Sequence, residues 1–190
     1  TLLALQEVDT QSTLAGGEDE VLTALLSALA ADGCPYSAAW SHPDVGDHGV
    51  AALWRSDLVT TATWSTDAQG CSSVGSASAS QYDPACDGLA GQEPLCSRRP
   101  VVVTATLPSS CGSPLEVVLV ALHLKSKVGS DPADDQRRLE QGQFVADLVD
   151  ALVAGGSPNV VVAGDLNDFE DSPPLGALTA DGDLLPIWDL

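Results

Sequence analysis

At 190 residues the chain has the length of one domain, and its 44% hydrophobic content argues against a disordered polypeptide. Aromatic residues make up only 4%, so the core must be built from Val, Leu and Ala, which suits an α/β or α+β domain better than a small aromatic-rich module. A net charge of −20, from 7 Lys and Arg against 27 Asp and Glu, argues against a broad cationic surface for nucleic acid.

The chain opens on an apolar run, residues 2–8, that reads as a buried strand delivering Gln6 and Glu7 near its C-terminal end. Such an opening is expected of a processed or excised piece that begins inside a strand. Over residues 18–31, Val21, Leu22, Leu25, Leu26 and Leu29 recur at helical period, and Gly33 closes the segment. Residues 36–40, 50–54 and 59–64 then read as strands with turn-rich intervals, which implies antiparallel neighbours. Residues 66–96 are rich in Ser, Gly, Asp and Cys without periodicity, and the spacing predicts a disulfide-pinned surface insertion.

Residues 100–107 and 115–122 are strand candidates joined by a turn containing Pro108, Gly112 and Pro114, and they predict a hairpin. Asp131-Pro132 is a helix start signal, followed by the acidic Asp134 and Asp135 and by Val145, Leu148, Val149 and Leu152 on one face. Residues 159–163 read as another buried strand, residues 164–171 as a polar loop, and residues 173–178 as a short helix. The longest purely aliphatic run, residues 117–122, is far below the roughly 18–20 residues that span a bilayer, so no membrane span is expected.

Cys34, Cys71, Cys86, Cys96 and Cys111 avoid the C-x-x-C spacing of zinc and redox sites. Loop disulfides are the expectation, and with them a secreted or cell-surface protein, with buried free thiols as the alternative. The odd count leaves one cysteine unpaired or paired outside this sequence. Of the basic residues, Arg98, Arg99, Lys125, Lys127, Arg137 and Arg138 lie in or just after two of the motifs below, and Arg55 alone stands apart. A cationic patch at a site and a few cations scattered over an acidic surface both fit that distribution.

Three strand ends deliver polar groups: Gln6 and Glu7, then His123, then Asp165 and Asn167. Carboxylate and amide oxygens without thiolates suit a hard cation such as Mg²⁺, with Mn²⁺ or Ca²⁺ as alternatives. The motifs that carry these groups are Leu-Gln-Glu-Val at 5–8, Ala-Leu-His at 121–123 and Gly-Asp-Leu-Asn at 164–167. In order and spacing they resemble the successive motifs of the endonuclease/exonuclease/phosphatase superfamily. Ser97-Arg98-Arg99-Pro100 is similar to a stretch of the deoxyribonuclease I-like members, and His123-Leu124-Lys125-Ser126-Lys127 to one of secreted bacterial nucleases.

The resemblance implies an α/β fold of two face-to-face mixed β-sheets flanked by helices, a four-layer αββα sandwich. It implies divalent-metal-dependent hydrolysis of phosphodiester bonds, most simply by an extracellular nuclease acting on nucleic acid. A phosphatase or lipid phosphodiesterase of the same superfamily, or a catalytically inactive binding domain, is the alternative. Residue by residue, Glu7 falls on the family's metal ligand and Asp165 on the carboxylate that positions or activates water. Asn167 falls on the amide that orients groups around the phosphate, and His123 on the histidine beside the scissile phosphate. Arg98 falls on the phosphate-contacting arginine, with Arg99, Lys125 and Lys127 as further members of that field. Glu7, His123, Asp165 and Asn167 are expected to converge on one ion and one phosphate.

The family also has an opening strand with an Asn near the metal and a final strand carrying Asp-His. Neither has a counterpart in this sequence, so the resemblance implies a single domain truncated at both ends, lacking its first and last strands. Gly46-Asp47-His48-Gly49-Val50 is similar to the final motif, but it stands where the family has a Gly-Val-Ala strand. His42 and His48 are therefore expected in a loop, and Asp189 is expected to be structural.

Overall fold

A computed structural model of the chain describes residues 1–9, 20–41, 48–65, 82–83, 93–109, 112–128, 132–157 and 159–187. The chain divides into two compact units: Thr1–Thr66, Arg98–His123 and Asn159–Gly164 form the first, and Asp67–Ser97, Leu124–Pro158 and Asp165–Leu190 the second.

The first unit holds β1 (Leu2–Asp9), α1 (Glu20–Ala31), β2 (Tyr36–Ser41), β3 (His48–Arg55) and β4 (Thr61–Ser65). Strands β1, β3 and β2 form a three-stranded sheet in that order, paired antiparallel. Its second sheet has the order β4-β7-β8-β9, from β7 (Val101–Leu107), β8 (Leu115–His123) and β9 (Val160–Asp165), whose last residue falls in the second unit. Strands β7 and β8 pair antiparallel, Val101 with Ala121 through Leu107 with Leu115, as the predicted hairpin requires. Val118 N–H donates to Asn159 O and Leu124 N–H to Asp165 O, so both chains advance together and β8 runs parallel to β9. The second sheet is mixed.

The two sheets meet face to face through small side chains. Ala39, Val50 and Ala52 from the three-stranded sheet pack with Val101, Val103, Ala105, Leu119 and Ala121 from the other. These alternate along each strand, so one face of each sheet is committed to the shared core. Helix α1 lays Leu22, Leu26 and Leu29 on the opposite face of the first sheet, against Ala51 and Leu53. Val21 and Leu25, expected on the apolar stripe, turn outward instead. Gly33, at φ 77°, ends α1 in a Schellman motif: Gly33 N–H donates to Ala30 O and Cys34 N–H to Leu29 O.

The second unit contains α2 (Pro132–Ala154), α3 (Pro173–Leu178) and a two-stranded parallel pair, β5 (Tyr82–Asp83) with β6 (Glu93–Pro94). Its buried apolar side chains include Phe144, Val145, Leu148 and Val149 from α2 and Leu175 and Leu178 from α3. Gly142 lets the helices touch, since a Cβ there would stand 2.5 Å from Pro174 O. Gln141, buried, donates to Leu95 O and accepts from Lys125 N–H, which ties residue 95 and the segment after β8 to α2.

The α/β class expected from sequence is the one found: in the first unit two β-sheets pack face to face, with α1 on the outer face of one. Several boundaries differ from the sequence reading. His48 is not in a loop but starts β3, where it pairs with Asp9. The strand read at residues 59–64 begins at Thr61, and β9 extends through Gly164 and Asp165, so these two complete a strand rather than open a loop. Among the described residues Cys34 has no disulfide partner, and Cys96 is buried. His42, Cys71, Cys86, Cys111, Asp131, Asp189 and most of the 66–96 insertion lie outside the described residues. Among the described residues no helix is long and apolar enough to cross a membrane.

Candidate active site

In the first unit, the register brings several motif residues to one rim. Val8 pairs with Gly49 and Ser41 with Val50, so the C-terminal ends of β1 and β2 lie beside the start of β3. Ser41 Oγ donates to Arg99 O at 2.7 Å and links that end to the segment entering β7. Val101 pairs with Ala121, so Arg98 and Arg99, just before β7, share their end of the hairpin with His123, at the end of β8. Glu7, Arg98, Arg99 and His123 therefore occupy the same rim, whereas Arg55 stands at the opposite end of β3, bound to Asp57.

The rim has irregular backbone where Glu7 sits. Pairing shifts between Leu5, opposite Ala51, and Val8, opposite Gly49, so Gln6 and Glu7 together face Val50. This bulge holds Glu7 at φ 55° and leaves its side chain exposed, while the Nε2 of Gln6 is buried and has no hydrogen-bond partner among the described residues. His123 is 4% exposed, and Arg98 and Arg99 are half-buried. Gly164, at φ 148°, lies against the backbone of Leu122.

In the second unit, Asp165 and Asn167 form one turn with the segment after β8. Asn167 N–H donates to Asp165 Oδ1 at 2.8 Å, and its Nδ2 donates to Leu124 O at 3.0 Å. Asn167 adopts φ 50° to do this, and asparagine tolerates that left-handed conformation better than most residues. Asp165 remains exposed. Lys125 pairs with Asp134 at 3.3 Å, and Lys127 with Asp168.

Two residues that the sequence reading did not single out organise this turn. Arg138 of α2 is 1% exposed, yet its guanidinium reaches Asp168 Oδ2 at 3.1 Å, Ser126 O at 3.0 Å, Lys125 O at 3.4 Å and Asp135 Oδ1. Asp168, with a side chain 4% exposed, accepts from Lys127, Arg138 and the Phe169 N–H. Burial alone would raise the Asp168 pKa, but these donors outweigh it and hold the carboxyl below its ordinary range. A group depressed in the folded state contributes its full stability above the unfolded carboxylate range, and that contribution fades as pH falls through the folded value. The unfolding free energy of Asp168→Asn should therefore fall less steeply than that of the parent below about pH 4. Parallel curves in a urea titration at stepped pH would count against the assignment.

The sequence matches the endonuclease/exonuclease/phosphatase family over residues 1–189. The chain belongs to that family. Among solved structures, it resembles an endonuclease/exonuclease/phosphatase from Beutenbergia cavernae at 21% identity and a TM-score of 0.51, over 91% of this chain and 41% of that one. Sphingomyelinase C from Streptomyces griseocarneus is similar at 19% identity and a TM-score of 0.50, over 97% of this chain and 57% of that one. The human Nocturnin catalytic domain is similar at 16% identity and a TM-score of 0.50, over 95% of this chain and 56% of that one. At these identities the likeness is one of fold, and the chain spans about half the length of these structures. No curated protein sequence matches the chain.

Proposed function

We propose that the protein is an extracellular, divalent-metal-dependent phosphodiesterase whose substrate is nucleic acid. Family membership supports phosphodiester hydrolysis, and one structural observation carries the residue assignments. Among the described residues, the non-glycine positions with positive φ are Glu7 and Asn167, both drawn from the sequence motifs. Such backbone costs of order 1–3 kcal/mol and collects where function demands it.

In this reading Glu7 is the protein ligand of the cation. The fit rests on its chemistry, an exposed carboxylate projecting from a bulge; among the described residues, no group of three or more His, Cys, Asp or Glu is gathered to hold a metal. A hard ion such as Mg²⁺ takes one or two carboxylates and keeps water for the rest, with Mn²⁺ or Ca²⁺ as substitutes. Bound there, it supplies charge neutralisation to phosphoryl oxygens. Asp165 orients and deprotonates the attacking water, and Asn167, its Nδ2 already held by Leu124 O, presents its remaining amide oxygen to groups around the phosphate. His123 donates a proton or hydrogen bond to the phosphate, and Arg98, Arg99, Lys125 and Lys127 supply the surrounding positive field. Secretion is part of the proposal through the cysteine-rich segment, because any bridges formed there would persist only in an oxidising compartment.

The net charge of −20 favours one second reading, a lipid phosphodiester substrate in place of a polyanion. Plasmid DNA, bis-p-nitrophenyl phosphate and sphingomyelin, each with Mg²⁺ or with chelator, separate the possibilities. The expected result is Mg²⁺-dependent cleavage of the first two, and cleavage of none would leave an inactive binding domain. Replacing Glu7 with Gly should lower the rate by roughly 10²-fold, yet leave the unfolding midpoint nearly unchanged because glycine relaxes the positive φ. Hydrolysis that persists in chelator would sink the scheme.

A further inference from the structure

Phenylalanine occurs twice in the chain, and the two residues are placed in opposite ways. Phe144 is 2% exposed in the core, whereas Phe169, two residues beyond Asn167, is 77% exposed. Its backbone is nevertheless fixed on both sides. Phe169 N–H donates to the buried Asp168 at 2.9 Å, and Phe169 O accepts from Ser172 N–H at 2.9 Å. Lys127 Nζ stands 5.0 Å from the ring centroid while paired with Asp168. A large apolar ring carried on an anchored backbone and exposed to water, beside a cation and next to a motif turn, is organised for a ligand with an aromatic part and an anionic part.

We infer that Phe169 and Lys127 form a nucleotide subsite, a base stacking on the free face of the ring and a neighbouring phosphate resting on the ammonium. The inference rests on the phosphodiesterase reading above and sharpens its substrate to single-stranded nucleic acid, whose bases are unpaired and available to stack. An ammonium has three donors, and Asp168 takes one, so hydrogen-bonding capacity remains for phosphate oxygens. The same arrangement disfavours a choline lipid. A quaternary ammonium seeks an aromatic face, and here the chain's own cation already covers one face and repels a second.

The test uses the whole native protein in chelator, so that nothing is cleaved, and reads fluorescence anisotropy of a labelled oligothymidine and of an abasic strand of equal length. The parent should prefer the base-containing strand. Phe169→Ala should erase that preference, weakening oligothymidine on the order of tenfold while sparing the abasic strand, and Phe169→Trp should restore it. Lys127→Met should weaken both strands and flatten the salt dependence by about one counterion. Equal binding of the two strands by the parent, or a preference that survives Phe169→Ala, would overturn the subsite. So would loss of binding to phosphatidylcholine vesicles in Phe169→Ala with oligothymidine unaffected. Hydrolysis of bis-p-nitrophenyl phosphate with Mg²⁺ reports on the parent reading separately. Turnover without base preference removes the subsite alone, and base preference without turnover removes the phosphodiesterase alone.

Discussion

Replacing Arg138 with Ala is expected to cost about 3–5 kcal/mol of folding stability, the range for breaking a buried ion pair by removing one partner. The guanidinium is 1% exposed and serves Asp168, two backbone carbonyls and Asp135. Without it, the buried Asp168 keeps the Lys127 and Phe169 donors but loses its Nε contact, and the carbonyls of Lys125 and Ser126 lose a partner. Arg138→Lys should recover only part of the loss, since one ammonium cannot reach acceptors spread around a planar fork. Urea unfolding at neutral pH measures both. A loss under about 1 kcal/mol, typical of a solvated surface pair, would mean that the network is open to water.

Gly164→Ala should be comparably severe, about 3 kcal/mol or more, through a different cause. A Cβ at this position would stand 1.9 Å from Leu122 O and 2.9 Å from Leu122 C, and φ is 148°. The obstacle is the backbone of the adjacent strand, which cannot rotate away as a side chain can. The strands must separate, and the separation falls beside His123. Gly176→Ala is the matched control, because no atom lies within 4 Å of its added Cβ and α3 gains a better helix former. Thermal melts of the two variants should shift in opposite directions. A Gly164→Ala protein as stable as its parent would place β8 and β9 further apart than their pairing requires.

The elements were legible wherever one periodicity dominated. The alternating and aliphatic runs of β1, β3, β7 and β8 and the start signal at Pro132 lead to the observed order and to the α/β class. The motif residues were legible as strand ends, and the register places Glu7, Arg98, Arg99 and His123 together at one end of the first unit. The bulge at Gln6 and Glu7 was not, because an extra residue in a strand leaves the composition unchanged and shows only in pairing. Arg138 was missed because a charged residue is read as solvated by default. Its phase held the missing signal: positions 138, 141, 145 and 149 follow one another at helical spacing, and all four are buried. Asp168 stood beside Asn167 in plain sight, but only a partner on α2 gives it meaning.

One guanidinium shared among four acceptors also constrains how this part of the molecule can change over generations. The penalty for losing any partner is largely incurred at the first loss, so substitutions at Asp135, Arg138 and Asp168 should be strongly epistatic rather than additive. A lineage that abandons the arrangement must pass through a weakened intermediate or alter several positions at nearly the same time. Homologues should accordingly retain the whole set or have replaced it wholesale.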